Sequence, residues 1–137
     1  MSNAASFSGG AVQGSVRRWL RLEGLAVLLA AIFLYAHDGG SWVAFAVLFL
    51  APDLSFAGYL AGPRPGAALY NVAHSYAGPL LLAMTLLSAG ISVSVALIWV
   101  AHIGFDRALG YGLKYPSAFG DTHLGRIGRD ADSANSR

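Results

Sequence analysis

The stretch "LAPDLSFAGYLAGPRPGAALYNVAHSYAGPLLL", Leu50 to Leu82, decides the fold. Two apolar runs meet at GPRPG, a break so short and so rich in proline and glycine that the flanking segments must run antiparallel. Outward from it lie four such runs: Trp19 to Ala36, Ser41 to Ala61, Ala67 to Ala89, and Ile91 to Leu109. Each has 18 to 23 residues, close to the roughly 20 that a helix needs to cross about 30 Å of hydrocarbon. None alternates as a barrel strand does, and hydrocarbon cannot solvate open strand edges. The other breaks, HDGG and SAG, are equally short. The expected architecture is therefore all-α, an integral membrane antiparallel four-helix bundle with up-and-down topology.

Composition agrees. Of 137 residues 55% are hydrophobic and 12% charged, about half the charged share of an ordinary soluble domain. The net charge of +2 comes from residues gathered at segment ends, without the basic groove that nucleic acid requires, so nucleic acid is excluded as a partner. With no cysteine, disulfides, thiolate metal sites and cysteine nucleophiles are excluded. Any metal must use nitrogen and oxygen ligands.

Arg17, Arg18 and Arg21 precede the first run, Arg64 lies in GPRPG, and Arg107, Lys114, Arg126 and Arg129 close or follow the fourth. The remaining two breaks carry no Arg or Lys. The positive-inside rule then puts both termini on the cytoplasmic side of the inner membrane. Residues 1–16 read as a flexible N-terminal arm, 17–128 as the transmembrane domain with a C-terminal interfacial segment, and 129–137 as a flexible tail.

On this topology the polar residues meet at one depth. At 1.5 Å per residue, Asp53 lies about 10 Å, His74 and His102 about 12 Å and Asp106 about 6 Å from the cytoplasmic ends of their helices. His102 and Asp106, four residues apart, share a face, as do Asn71, His74, Ser75 and Gly78. Those faces should turn inward, because an ionised side chain facing lipid costs at least ~2.5 kcal/mol near mid-bilayer. Pro52 removes a backbone hydrogen bond beside Asp53 and is expected to kink the second helix.

The quoted stretch, with "RLEGLAVLL" and "AHIGFDRALGYGLKYPSAFGDTHLGRIG", closely resembles small bacterial membrane proteins grouped as domain of unknown function 4260, over about residues 20 to 128. More distantly, the chain is similar to bacterial inner-membrane metal-dependent hydrolases, which carry "PDxDH", "HRGxTHS" and a late "HxxxD". Asp53 matches the first aspartate, while Ser55 and Phe56 stand where that pattern has its second aspartate and histidine. His74 and Ser75 match without the preceding His-Arg-Gly, and His102 and Asp106 match fully. That resemblance implies a metal-dependent hydrolase acting on a membrane-associated ester.

From the residues themselves, Asp53, His74, His102 and Asp106 offer two imidazoles and two carboxylates, a set suited to a divalent zinc, manganese or iron ion. Asp121 and His123 would join as further ligands if the segment after the fourth helix folds back as a lid. Ser75 and Asn71 would orient a substrate, and Arg107 would attract a phosphate or anionic headgroup. The expected partners are the bilayer and a lipid-like or phosphoester substrate, and the small residues of "GYLAG", Gly58 to Gly62, suit close helix contact either inside the bundle or with a second copy. Two other readings stay open. The His/Asp groups could be interhelical glue in a non-enzymatic structural or interaction protein, or His74 and His102 could be axial ligands of a haem.

Overall fold

The computed structural model describes residues 10–117 and 119–127. Helix α1 spans Gly14–His37 and α2 spans Trp42–Leu48. A 3-10 segment follows over Ala51–Ala61, then α3 over Pro63–Ala73, α4 over Ala77–Ser88 and α5 over Ser94–Leu109. Strands β1, Asp121–Thr122, and β2, Gly125–Arg126, pair antiparallel. The described residues are mostly helical, in keeping with the all-α expectation, and this small hairpin of two two-residue strands, with a bridge from Lys114 to Thr122, is the sheet structure among them.

Two helical runs, Gly14–His37 and Trp42–Ala61, are long and apolar enough to cross a membrane. Helix α4 has 12 residues and α5 has 16, short of the roughly 20 for a straight crossing. Where four spans of 18 to 23 residues were expected, the described residues form five α-helices, and two helical runs are of spanning length. The third expected span, Ala67 to Ala89, is two helices separated at His74–Tyr76. Pro79 explains the break: it has no N–H for the Ser75 carbonyl, and its ring crowds the preceding turn, so the helix restarts around it. The Ala73 carbonyl freed at the break accepts the indole N–H of Trp99 at 2.6 Å.

The second expected span is also two pieces. Pro52 cannot donate to Leu48, α2 ends there, and the chain tightens, with the Asp53 N–H bonding the Leu50 carbonyl at 3.0 Å. A 3-10 run of 11 residues is long for that geometry, which rarely persists beyond three or four.

Helix α1 lies along α5 and the 3-10 segment lies along α3, with α2 and α4 against α5. The α1–α5 crossing is close because glycines face it from both sides. A Cβ on Gly24 would stand 2.4 Å from the Arg107 Cβ, and one on Gly104 would stand 2.8 Å from the Leu28 nitrogen. Gly58 and Gly66 play the same part between the 3-10 segment and α3, so within this chain Gly58 of GYLAG is used internally. Tyr35 on α1 is buried and donates its hydroxyl to the Ser41 carbonyl at 2.6 Å. From it an aromatic ladder runs through Phe45 and Phe49 to His102.

Residues 14–16, expected in the arm, begin α1, and the Val12 N–H bonds the His123 carbonyl at 2.8 Å. Residues 1–9 of the expected arm and the expected tail with Arg129 lie outside the described residues.

Candidate metal centre

Asp53 arrives from the first turn of the 3-10 segment, His74 from the residue that closes α3, and His102 and Asp106 from one face of α5. His74, at 0% exposure, and His102, at 2%, are buried, while the Asp53 side chain is 36% exposed. Their donor atoms converge. His74 Nε2 stands 3.1 Å from His102 Nε2, 3.3 Å from Asp53 Oδ1 and 3.5 Å from Asp106 Oδ2. His102 Nε2 stands 3.3 Å from Asp53 Oδ1 and 3.4 Å from Asp106 Oδ2. All four donors lie within 4.8 Å of one another.

These contacts do not resolve into ordinary hydrogen bonds. His74 Nδ1 faces the Tyr70 carbonyl at 2.9 Å and donates its hydrogen there, which leaves Nε2 of the neutral ring a lone pair. That lone pair points at two carboxylate oxygens, which also only accept, and at the Nε2 of His102, whose single hydrogen, if it lies there, serves one neighbour at a time. A proton can reconcile one such pair at a time, whereas a cation at the centre reconciles all four. The group could therefore hold a metal ion. With neutral imidazoles, two carboxylates and one divalent cation the set is neutral overall, which removes most of the cost of burying charge.

The surroundings fix the ligands. The Tyr70 ring stacks on His74 with centroids 3.8 Å apart and planes 11° from parallel, so Tyr70 holds His74 through both its carbonyl and its ring. Such outer partners orient a ligating imidazole and set its tautomer. His102 Nδ1 is buried and faces the Phe49 backbone without a well-formed hydrogen bond, while the Phe49 ring meets His102 edge-on at 5.3 Å. Tyr70 had a signal in the sequence, since it precedes His74 by four residues on the same helical face. The contribution of Trp99 had none without knowledge of the break at Pro79.

The other sequence candidates stand elsewhere. Asn71 brackets the Lys114 backbone, donating to its carbonyl at 2.8 Å and accepting its N–H at 2.7 Å. Arg107 is buried, and its guanidinium donates to the His74 carbonyl at 2.7 Å and to the Tyr111 carbonyl at 2.8 Å. Ser75 is half-buried in the break between α3 and α4. The segment after α5 does fold back: Phe119 packs on Phe56 and Tyr59, and the Lys114 ammonium sits 3.7 Å from the Phe119 ring centroid. Burial pulls the Lys114 pKa down, and the Asp106 carboxylate opposes that shift.

Asp121 and His123 nevertheless remain outside the four-residue cluster. Asp121 accepts from Ser117 at 2.6 Å and from Arg126 at 2.9 Å, and these bonds lower its pKa. His123 Nδ1 accepts the Leu113 N–H at 2.9 Å. Burial and then the nearby Arg107 charge hold its pKa below the usual value, and a protonated Nδ1 could not accept that bond. The haem reading fails on distance: imidazole nitrogens 3.1 Å apart leave no room for a porphyrin between them.

An apolar cavity of about 440 Å³ lies beside the centre, walled by Leu48, Leu54, Leu69, Val95 and Trp99, with Pro52 and Ala73 next in sequence to Asp53 and His74.

None of the curated proteins and none of the solved structures matches the chain, so the distant likeness to metal-dependent hydrolases gains no support from them. Residues 17–127 match the family described as a domain of unknown function (DUF4260). That match takes in all five helices apart from the first turn of α1, together with every residue of the cluster, and the chain belongs to that family.

Proposed function

We propose that this is a membrane protein carrying a tetrahedral divalent-metal centre of the zinc type, with Asp53, His74, His102 and Asp106 as its ligands. One observation carries the reading: five of the six donor–donor distances lie between 3.1 and 3.5 Å, and the sixth, between the two carboxylate oxygens, is within 4.8 Å. In a regular tetrahedron with metal–ligand bonds of about 2.0 to 2.1 Å, donors stand roughly 3.3 to 3.4 Å apart. Magnesium and calcium prefer six or more oxygen ligands, which this set does not offer. Membrane residence is supported by the two long apolar runs, since only 17% of the first and 6% of the second is buried within the chain. A core helix of a soluble protein would bury most of that surface.

The test is metal analysis of protein purified in mild detergent and re-equilibrated with zinc. Wild type is expected to retain about one zinc per chain, and the His74→Ala/His102→Ala double variant none. Equal zinc in both would overturn the reading.

A second reading, hydrolysis of a membrane-associated ester, draws on the 36% exposure of Asp53 and on the apolar cavity beside it. Four protein ligands make a closed site, and catalysis needs an open position. Asp53, the most accessible of the four, would have to leave to admit water, and the cavity would take a hydrocarbon chain. Zinc-dependent cleavage of a short-chain acyl or phosphate ester, lost in His102→Ala, would favour this reading. Zinc-loaded protein without turnover on either ester would leave binding alone.

A further inference from the structure

The break between α3 and α4 leaves the Ala73 and His74 carbonyls without a backbone N–H partner among the described residues, and α5 supplies side chains to them. Trp99 takes the Ala73 carbonyl. Arg107 takes the carbonyl of His74 itself, at 2.7 Å, and with its other terminal nitrogen takes the Tyr111 carbonyl at 2.8 Å. The consequence is geometric. His74 belongs to one helix and His102 with Asp106 to another, so the bite of the centre depends on how α5 is held against the end of α3. Arg107 is next in sequence to Asp106 and bonded to the backbone of His74, so it ties both sides of that bite. Its guanidinium is buried, and neither of those bonds is to a carboxylate. The Cβ of Arg107 fits under α1 only because residue 24 is glycine.

We infer that Arg107 is the positioning residue of the metal centre: through the His74 carbonyl it sets the distance between the α3 ligand and the two α5 ligands. This rests on the metal-binding reading above and assigns Arg107 a role in ligand geometry in place of contact with a substrate phosphate. A planar fork with two terminal nitrogens spans both carbonyls, which a single ammonium cannot do. Loss of an outer partner of this kind costs a metal site about 10- to 100-fold in affinity.

Cobalt(II) is the probe, because its visible spectrum reports coordination geometry, intense when tetrahedral and weak when six-coordinate. Full-length wild type in detergent is expected to bind Co²⁺ with the tetrahedral spectrum. Arg107→Gln should bind it about 10- to 100-fold more weakly, with a shifted and weakened band. Arg107→Lys, which keeps the charge, should recover thermal stability without recovering the spectrum. Gly24→Ala, which leaves Arg107 in place but crowds its stem, supplies an independent perturbation if Arg107→Gln does not fold, and should shift the same band. Wild-type affinity and spectrum in both Arg107→Gln and Gly24→Ala would overturn the inference while leaving the metal centre intact. Wild-type protein that binds no Co²⁺ would overturn the metal reading and this one with it.

Discussion

Asp106 is buried against two imidazoles and, among the described residues, its carboxylate takes no hydrogen bond from a backbone amide, an arrangement that is costly unless a cation compensates it. Asp106→Asn keeps the shape and removes the charge, so zinc affinity should fall by more than the roughly 100-fold that an outer-shell loss can cost. Competition against a chromophoric chelator measures it, and an unchanged affinity would remove Asp106 from the centre. Asp121→Ala is the contrasting case: its carboxylate is engaged by Ser117 and Arg126, and zinc stoichiometry should be unaffected.

His123 gives a pH prediction of definite sign. Its folded pKa lies below the unfolded value of about 6.5, so the folded state favours the neutral ring. The contribution is complete above about pH 6.5 and is lost as pH falls through and below that value. Hydrogen-exchange protection of the Leu113 amide, corrected for intrinsic rate, should therefore drop between pH 7.5 and 5. Constant protection would contradict the assignment.

At the scale of elements, prolines and glycines decide more than hydropathy does. The two apolar runs flanking GPRPG were legible because an apolar run and a turn each announce themselves locally. The division of the third run at His74–Tyr76 was not, because Pro79 stands amid leucines and its effect falls several residues upstream, on the Ser75 carbonyl. The 3-10 winding after Pro52 was read only as a kink, since propensity does not distinguish α from 3-10 turns in a run of Ala, Leu and Phe. The α1–α5 crossing depends on Gly24 and Gly104, whose partners no single stretch reveals. Gly104→Ala would put a methyl 2.8 Å from the Leu28 nitrogen and 2.9 Å from the Gly24 carbonyl. Overpacking of that kind costs about 1 to 3 kcal/mol, and thermal unfolding in detergent should shift down by several degrees; an unchanged midpoint would mean that the helices do not touch there.

Across the whole molecule, polar residues scattered over 54 positions, from Asp53 to Asp106, come within 4.8 Å. The sequence contained enough to bring these four together, because depth along each helix and the four-residue spacing on α5 are one-dimensional quantities. It did not contain enough to exclude Asp121 and His123, whose places depend on a hairpin and on a hydrogen bond to Leu113. The outward-facing apolar surface predicts that the protein stays with the bilayer through an alkaline carbonate wash. Release into the supernatant would contradict a spanning arrangement.

X-ray absorption at the zinc edge of metal-loaded wild-type protein tests the central claim most directly. The predicted result is four nitrogen and oxygen donors at about 2.0 to 2.1 Å, with the outer-shell scattering of two imidazoles. Six oxygen donors at longer distance, or no imidazole scattering, would contradict it.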